Sequence, residues 1–382
     1  MLEDNLRSQA ENGDKNAAVH LSRLYFKAGK FEQLTHTIKP LLAEQYPPAL
    51  LAQVDFLMRK DPNQGIGLLY DLAAKNVPLA NYKMAMLLYF HPELTLSFQD
   101  YLEQACQLNE QPAIVAAISL FFQCGQPEMA ASLLAKHQSS EMLAALPITQ
   151  SVDSLTQQTP DFSVLTRPAF ESFAINTVAK EIELFTIDNF ISSFDCQWLI
   201  HRAADHLNRS QVVDGESGIS EASGVRTNSA AQLSPNTNDW ILLNTEAKIA
   251  GITRVPMTCG ELSNVLHYQL GEEYKAHYDF FHPKDPGAAL AKQDGGQRFK
   301  TALIYLNEVE AGGETAFPRL NKQVSPQLGR LVVFRNTDNE YTPLPHSLHQ
   351  GVTVTSGEKW LLSKWLRQSE TSYKPLLVDL NL

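Results

Sequence analysis

The sequence predicts two domains of different fold classes, an all-α N-terminal part and a β-rich C-terminal part, and two observations lead to this prediction. Residues 1–140 are rich in Ala and Leu and repeat apolar residues at three- and four-residue spacing, which indicates amphipathic helices. From residue 176 onward, short runs of branched and aromatic residues are separated by clusters of Gly, Pro, Asn and Asp, a pattern typical of strands and turns. With 382 residues, the chain is long enough for two cores.

A faint repeat in the N-terminal part predicts pairs of antiparallel helices. Small residues recur at Ala18, Ala49, Ala80 and Ala113, with spacings of 31, 31 and 33 residues, and an aromatic residue or leucine follows each one seven positions later. Amphipathic segments at 16–26, 31–45 and 65–76 fit the same rhythm. The array resembles short tetratricopeptide or Sel1-like repeats. Such stacks form concave surfaces, so we expect it to bind substrate or to mediate dimerisation; a helical cap that only buries its own core is the alternative.

The composition changes after the helices. A stretch rich in Ser, Thr, Gln and Pro predicts a linker at 141–175, followed by a second domain at 176–370 and a tail at 371–382. Many short strands at close spacing indicate a sandwich or a barrel. Two helices are expected to interrupt these strands, one at 192–207 with Ser193 as its N-cap and one at 237–253.

Charge and composition exclude several classes of partner. The net charge of −11 offers no basic surface for nucleic acid. No stretch approaches 18 consecutive apolar residues, so we expect no membrane span. The four cysteines form no Cys-x-x-Cys pair, and the polar N-terminus lacks the apolar core of a signal peptide. We therefore expect a cytoplasmic protein with reduced thiols.

Four residues of the β-rich part predict a metal and an anion site. His277 and Asp279 are two apart in the aromatic run YKAHYDFF, and alternate residues of a strand face the same side. His349 begins a later strand, and Lys359 follows ten residues on, among apolar neighbours. Two histidines and one carboxylate can bind one face of an iron(II) ion and leave positions open for other ligands. A lysine in an apolar strand is costly unless an anion meets it.

These motifs are also where the chain resembles a known family. Residues 183–366 resemble the prolyl 4-hydroxylase branch of the 2-oxoglutarate- and iron(II)-dependent dioxygenases. The resemblance rests on YQLGEEYKAHYDFF (268–281), GGQRFKTALIYLNEVEAGGETAFP (295–318), LHQGVTVTSGEKWLLSKW (348–365) and RTNSAAQL (226–233), which occur in the order of the family. It implies a double-stranded β-helix, or jelly roll, with flanking helices, and so an α+β multidomain protein.

The resemblance implies a role for individual residues. His277, Asp279 and His349 match the metal triad, and Lys359 matches the lysine that binds the C5 carboxylate of 2-oxoglutarate. The residues expected at the co-substrate pocket are Tyr268, Thr301 and Tyr305. Those expected on the substrate side are Arg298 and Arg226. Trp365 matches a tryptophan that we expect to pack at the cavity wall.

The implied activity is hydroxylation of a prolyl residue in a peptide or protein, with 2-oxoglutarate and O2 consumed at Fe(II) and succinate and CO2 released. Ascorbate is implied as the reductant that keeps the iron reduced. Two other functions compete. In one, the helical repeats act as a binding scaffold and the jelly roll is inactive. In the other, the same triad holds the zinc of a hydrolase, which would have no use for Lys359.

Overall fold

The structure is a computed structural model that describes residues 2–137, 140–144, 146, 159–167, 173–209, 212–213, 220–221, 227–234, 239–282 and 288–373. Its contacts divide the chain into two compact units, one through Ala117 and one from Ile118 onward. No helix of the described residues is long and apolar enough to cross a membrane. None of the four cysteines forms a disulfide, and three of them are buried.

The first unit is an array of helices. They are α1 (Leu2–Glu11), α2 (Lys15–Lys27), α3 (Phe31–Ala43), α4 (Pro47–Lys60), α5 (Pro62–Ala74), α6 (Pro78–Phe90), α7 (Phe98–Gln107) and the start of α8 (Gln111–Gln123), within which the unit boundary lies. The predicted segments at 16–26, 31–45 and 65–76 correspond to α2, α3 and α5, so the helical prediction is confirmed. Its assignment to the Sel1-like class stays a prediction.

Two features of the sequence set these helices. Proline occupies the first turn of α4, α5 and α6, where its missing N–H has no helical partner to lose. Side chains of Asp14, Asp61 and Ser97 accept hydrogen bonds from backbone N–H groups at the starts of α2, α5 and α7. The small residues of the repeat lie on α2, α4, α6 and α8, and all four are buried: Ala18, Ala49, Ala80 and Ala113.

The second unit contains two principal antiparallel sheets. Its strands are β1 (Asn176–Ala179), β2 (Leu184–Ile187), β3 (Asn208–Arg209), β4 (Val212–Val213), β5 (Ser220–Glu221), β6 (Ser229–Leu233), β7 (Ser263–Tyr268), β8 (Tyr274–His277), β9 (Arg298–Tyr305), β10 (Ala311–Gly312), β11 (Thr315–Phe317), β12 (Lys322–Val324), β13 (Leu331–Arg335), β14 (His349–Gly351), β15 (Val354–Ser356) and β16 (Lys359–Arg367). The large sheet has the order β1-β2-β13-β9-β16-β7-β6-β3 and the small sheet the order β12-β11-β14-β8.

The two sheets face each other across a shared apolar core. Tyr268, Leu303 and Leu361 of the large sheet belong to one buried cluster with Phe317 and Val324 of the small sheet. On β7 and β9 the cluster residues alternate along the strand, as expected for two sheets packed face to face. The predicted double-stranded β-helix is therefore confirmed.

The second unit also contains helices. Those described after α8 are α9 (Pro127–Lys136), α10 (Glu141–Ala144), α11 (Ser193–Ala204), α12 (Trp240–Thr253) and α13 (Ala288–Gln293). The two predicted helices correspond to α11 and α12, and α11 packs beside β6 and β7. The predicted N-cap was wrong by one residue. Ser192, not Ser193, caps α11, because Ser192 and Asp195 bond each other's backbone N–H groups in a capping box.

The predicted domain boundaries stay predictions. Within the described part of 141–175, the chain forms α10 and a short 3-10 turn at Phe162–Val164. By contacts, the end of α8, together with α9 and α10, groups with the second unit.

A buried ion pair ties α12 to β16. Lys364 Nζ donates to Glu246 Oε1 at 2.8 Å, and both side chains are almost fully buried. Ser263 Oγ donates to the same oxygen at 2.5 Å, and the Tyr373 hydroxyl donates to Oε2. Burial lowers the pKa of Lys364, and Glu246 opposes that shift.

We predict that Lys364→Met destabilises the second unit by about 3–5 kcal/mol, because it leaves a buried carboxylate without its cation. The double variant Lys364→Met/Glu246→Leu should recover most of this loss. Urea unfolding followed by tryptophan fluorescence measures the effect selectively, since all four tryptophans (Trp198, Trp240, Trp360 and Trp365) belong to the second unit. A single variant within 1 kcal/mol of the wild type would contradict the prediction.

Candidate active site

A cavity lies between the two sheets. Side chains from β7, β9 and β16 of the large sheet line one wall, and side chains from β8, β11 and β14 of the small sheet line the other. Every strand that carries one of the predicted metal ligands or Lys359 therefore borders the same space.

The two predicted histidine ligands are direct neighbours across a strand pair. In the antiparallel pairing of β8 with β14, His277 lies opposite His349, and their ring centroids are 4.3 Å apart. His349 is buried, and the His277 side chain is 15 % exposed. One pairing thus places both imidazoles at the same point of the cavity wall.

Asp279 completes the cluster from a bend just past the end of β8. Its Oδ1 lies 3.6 Å from His277 Nε2, and its Oδ2 lies 3.6 Å from His349 Nε2. One ligand atom from each of the three residues lies within 4.8 Å of the others. Two imidazoles and one carboxylate grouped on one side of a cavity are a donor set that suits Fe(II) with open coordination positions.

Hydrogen bonds on the far sides of the rings orient both histidines. His277 Nδ1 bonds the Lys275 carbonyl oxygen at 2.8 Å, and His349 Nδ1 bonds the Ser347 carbonyl oxygen at 3.0 Å. A carbonyl can only accept, so each Nδ1 carries the proton and each Nε2 presents a lone pair to the cavity. This is the arrangement that metal-binding histidines use.

The protonation states also favour a metal. Burial, and next the neighbouring His277, lowers the pKa of His349 to about 4. Burial alone would raise the pKa of Asp279, but His349, His277 and Arg298 outweigh it and hold the pKa of this carboxyl below its usual value. A neutral imidazole and an ionised carboxylate are the forms that bind metals.

Thr301 supports the carboxylate rather than lining the cavity. Its hydroxyl donates to Asp279 Oδ2 at 2.6 Å and accepts from Asn336 Nδ2 at 2.8 Å. Tyr305, four residues along β9, is also fully buried, and its hydroxyl bonds Thr315 Oγ1 at 2.7 Å and the Val324 carbonyl at 3.0 Å. Neither Thr301 nor Tyr305 is among the residues that line the cavity. Their direct contact with 2-oxoglutarate stays a prediction.

Lys359 enters the cavity from the large sheet. It pairs across the strands with Tyr268, and its ammonium lies 5.0 Å from the Tyr268 ring centroid and 5.3 Å from that of Tyr305. The residue is 1 % exposed, and among the described residues no carboxylate lies within ion-pair distance of it. Burial lowers its pKa to about 7, although the charge of Glu314 opposes the shift. The site thus holds a cation that lacks an anion.

Arg298 lies beside the metal cluster but is held by other groups. Its guanidinium makes a two-pronged ion pair with Glu261, at 2.7 and 2.9 Å, and stacks on Trp365 at 3.6 Å. Its Nη1 donates to the Asp279 carbonyl oxygen at 3.3 Å. A contact with substrate stays a prediction for Arg298, and Arg226 lies outside the described residues.

Three polar side chains of the cavity were not predicted from the sequence: Tyr274, Thr315 and Ser363. Tyr274 stacks on His277, with ring centroids 3.5 Å apart. A register shift in the pairing of β8 with β14 puts Tyr274 opposite Gly351, so that four residues of β8 (274–277) lie opposite three of β14 (349–351). Simple alternation would have turned Tyr274 away, whereas the bulge returns it to the cavity. Ser363 could have been found, because it is four residues from Lys359 on the same strand.

Comparisons with known proteins agree with this geometry. A family model described as the 2OG-Fe(II) oxygenase superfamily matches residues 263–367. The probable prolyl 4-hydroxylase 3 of Arabidopsis thaliana is 36 % identical over 209 residues, which cover 50 % of this chain and 71 % of the relative. Prolyl 4-hydroxylase 2 of the same plant is 35 % identical over 213 residues, covering 50 % and 69 %.

Among solved structures, the viral collagen prolyl hydroxylase of Paramecium bursaria Chlorella virus-1, in complex with 2-oxoglutarate, is similar over 48 % of this chain and 95 % of its own, with 26 % identity and a TM-score of 0.38.

The chain belongs to the 2-oxoglutarate- and Fe(II)-dependent oxygenases and, within them, to the prolyl 4-hydroxylase family. It is a 2-oxoglutarate-dependent dioxygenase, for which the family implies Fe(II), 2-oxoglutarate and O2.

We predict that Thr301→Val weakens metal binding about 10–100-fold, because the carboxylate of Asp279 loses the hydroxyl that orients it. Thr301→Ser keeps the hydroxyl and should bind metal nearly as well as the wild type. The affinity for Mn(II) is measured by titration, in which binding is detected as a loss of the electron paramagnetic resonance signal of the free ion. Equal affinities of Thr301→Val and the wild type would count against this role.

Proposed function

We propose that this protein hydroxylates a prolyl residue, at C4, in a peptide or protein substrate. The reaction consumes one 2-oxoglutarate and one O2 and releases succinate and CO2, with one oxygen atom of O2 in the new hydroxyl and the other in succinate. One observation carries the proposal. The cluster of two histidines and one aspartate and the unpaired Lys359 border the same cavity.

His277, Asp279 and His349 would hold the Fe(II). Their donor atoms fit the ion, because both Nε2 lone pairs and the ionised carboxylate converge while the Nδ1 protons are bound to carbonyls. The bound Fe(II) would supply the redox chemistry that couples O2 and 2-oxoglutarate to hydroxylation. Thr301 and Arg298 hold the carboxyl and the backbone carbonyl of Asp279 in place.

Lys359 would bind the C5 carboxylate of 2-oxoglutarate. A buried ammonium without a carboxylate partner attracts a dianion strongly, since a charge-assisted hydrogen bond forms where little water competes. The rings of Tyr268 and Tyr305 flank the ammonium and fix its position. Leu266, Leu303 and Leu361 supply apolar wall and keep water from the reacting groups.

The substrate side of the cavity would be formed around Trp365 and Tyr274, which line it, with Arg298 and Arg226 as further contacts. The names of the relatives, prolyl 4-hydroxylases, support proline as the target. The helical array is proposed to recruit the substrate or to mediate dimerisation. We also propose that ascorbate keeps the iron reduced and that the protein is cytoplasmic.

Turnover of 2-oxoglutarate tests the function. We expect the full chain with Fe(II) to release succinate in air but not under argon, and a proline-containing peptide to increase the release. His277→Ala should abolish turnover by removing a metal ligand, and Lys359→Ala should abolish or greatly slow it at ordinary 2-oxoglutarate concentrations. Mass spectrometry of the peptide should show a gain of one oxygen atom at proline. If correctly folded wild type neither binds iron nor releases succinate, the enzyme proposal is wrong, and the helical array becomes the functional part.

A pH dependence follows from the lowered pKa of Lys359. Below a pH of about 7 the free protein already carries the charged ammonium, so the affinity for 2-oxoglutarate is flat. Above it the lysine must take up a proton to bind the anion, and the dissociation constant should rise about tenfold per pH unit. Lys359→Arg stays charged throughout and should show a nearly constant affinity between about pH 7 and 9. Calorimetric titrations of 2-oxoglutarate into the Mn(II)-loaded wild type and Lys359→Arg measure both dissociation constants at each pH. The same pH dependence in the two proteins would refute the role of Lys359.

A further inference from the structure

Most polar groups around the cavity already have a partner or an assigned task. The metal triad and Lys359 are assigned above, and Thr315 Oγ1 bonds the Tyr305 hydroxyl. Tyr274 stacks on His277. Ser363 differs from all of these. It lines the cavity and is 3 % exposed, yet its hydroxyl makes no hydrogen bond within the described part of the chain.

The Ser363 hydroxyl borders the cavity, so a ligand that fills the cavity would replace water as its hydrogen-bond partner. Trp365 Nε1 is a second unpartnered donor of the cavity wall, but Arg298 covers its ring at 3.6 Å. Among the described residues that line the cavity, Ser363 is therefore a small donor that is free to bind a ligand.

The strand register places Ser363 toward the metal cluster. On β16, Ser363 lies opposite Leu303 of β9. Two residues further along β16, Trp365 lies opposite Thr301, whose hydroxyl contacts Asp279. Diagonal neighbours of this kind are about 7–8 Å apart. Lys359 lies on the same face of β16 four residues earlier, about 13 Å along the strand. The strand thus presents a cation at one end of the cavity and a hydroxyl near the metal ligands.

We propose that Ser363 donates a hydrogen bond to the C1 carboxylate of 2-oxoglutarate, at the end of the co-substrate that faces the metal. This inference rests on the proposed function. Lys359 holds the C5 carboxylate, and Ser363 orients the opposite end, so that β16 contacts both ends of one dianion. Ser363 is a co-substrate-binding and positioning residue.

Calorimetric titration of 2-oxoglutarate into the full-length Mn(II)-loaded protein tests the proposal. Loss of a hydrogen bond to a charged group should raise the dissociation constant of Ser363→Ala about tenfold or more. Ser363→Thr keeps the hydroxyl and should stay within about threefold of the wild type. In turnover, the KM for 2-oxoglutarate should rise in Ser363→Ala while the KM for the peptide stays unchanged.

Thermal unfolding of the ligand-free proteins separates this role from a structural one. An unpartnered hydroxyl contributes nothing to the ligand-free fold, so Ser363→Ala should melt at the wild-type temperature or a few degrees above it. A Tm several degrees lower would show a structural role and overturn the proposal.

The remaining outcomes separate this inference from the proposed function. Wild-type affinity for 2-oxoglutarate in Ser363→Ala would overturn the inference and leave the proposed function intact. A wild-type protein that binds Mn(II) but no 2-oxoglutarate would overturn both.

Discussion

The candidate site depends on the antiparallel pairing of β8 with β14. This pairing alone puts His277 opposite His349, and the bulge beside it turns Tyr274 toward the same cavity. Asp279 then follows in the bend, where Arg298 holds its carbonyl and Thr301 its carboxylate. A slip of the register by one residue would turn an imidazole out of the cavity, because neighbouring residues of a strand face opposite sides. The metal cluster is therefore as well defined as the small sheet itself.

The two sheets divide the chemistry between them. The small sheet carries the histidines, and the large sheet carries Lys359, so the cavity exists only where the sheets face each other. The position of Lys359 is unfavourable for a charged group on its own, since burial lowers its pKa to about 7. The same burial makes the site selective. A dianion relieves the cost, whereas a neutral ligand of the same size does not.

Much of the fold could be predicted from the sequence, because its signals are local. The helical spacing and the runs of branched and aromatic residues mark α2, α3 and most strands of the two sheets correctly. The triad and Lys359 were also identifiable, since His277 and Asp279 lie two apart and the later motifs follow in the family's order. Tyr274 was not, because its orientation depends on a bulge that exists only once β8 pairs with β14. The partnership of Arg298 with Glu261 joins residues 37 apart and likewise has no local signal.

The place of β16 in the large sheet bears on how the enzyme is made. It is the last described strand in chain order, yet it lies in the middle of the sheet, between β9 and β7. Until it emerges from the ribosome, those two strands each expose an unpaired edge, which is a template for aggregation. The helical array makes mainly contacts between neighbouring helices and can fold early. Lys359, the proposed co-substrate residue, arrives with this closing strand. If it binds 2-oxoglutarate as proposed, only a finished sheet holds the co-substrate, and cellular 2-oxoglutarate would stabilise completed chains selectively.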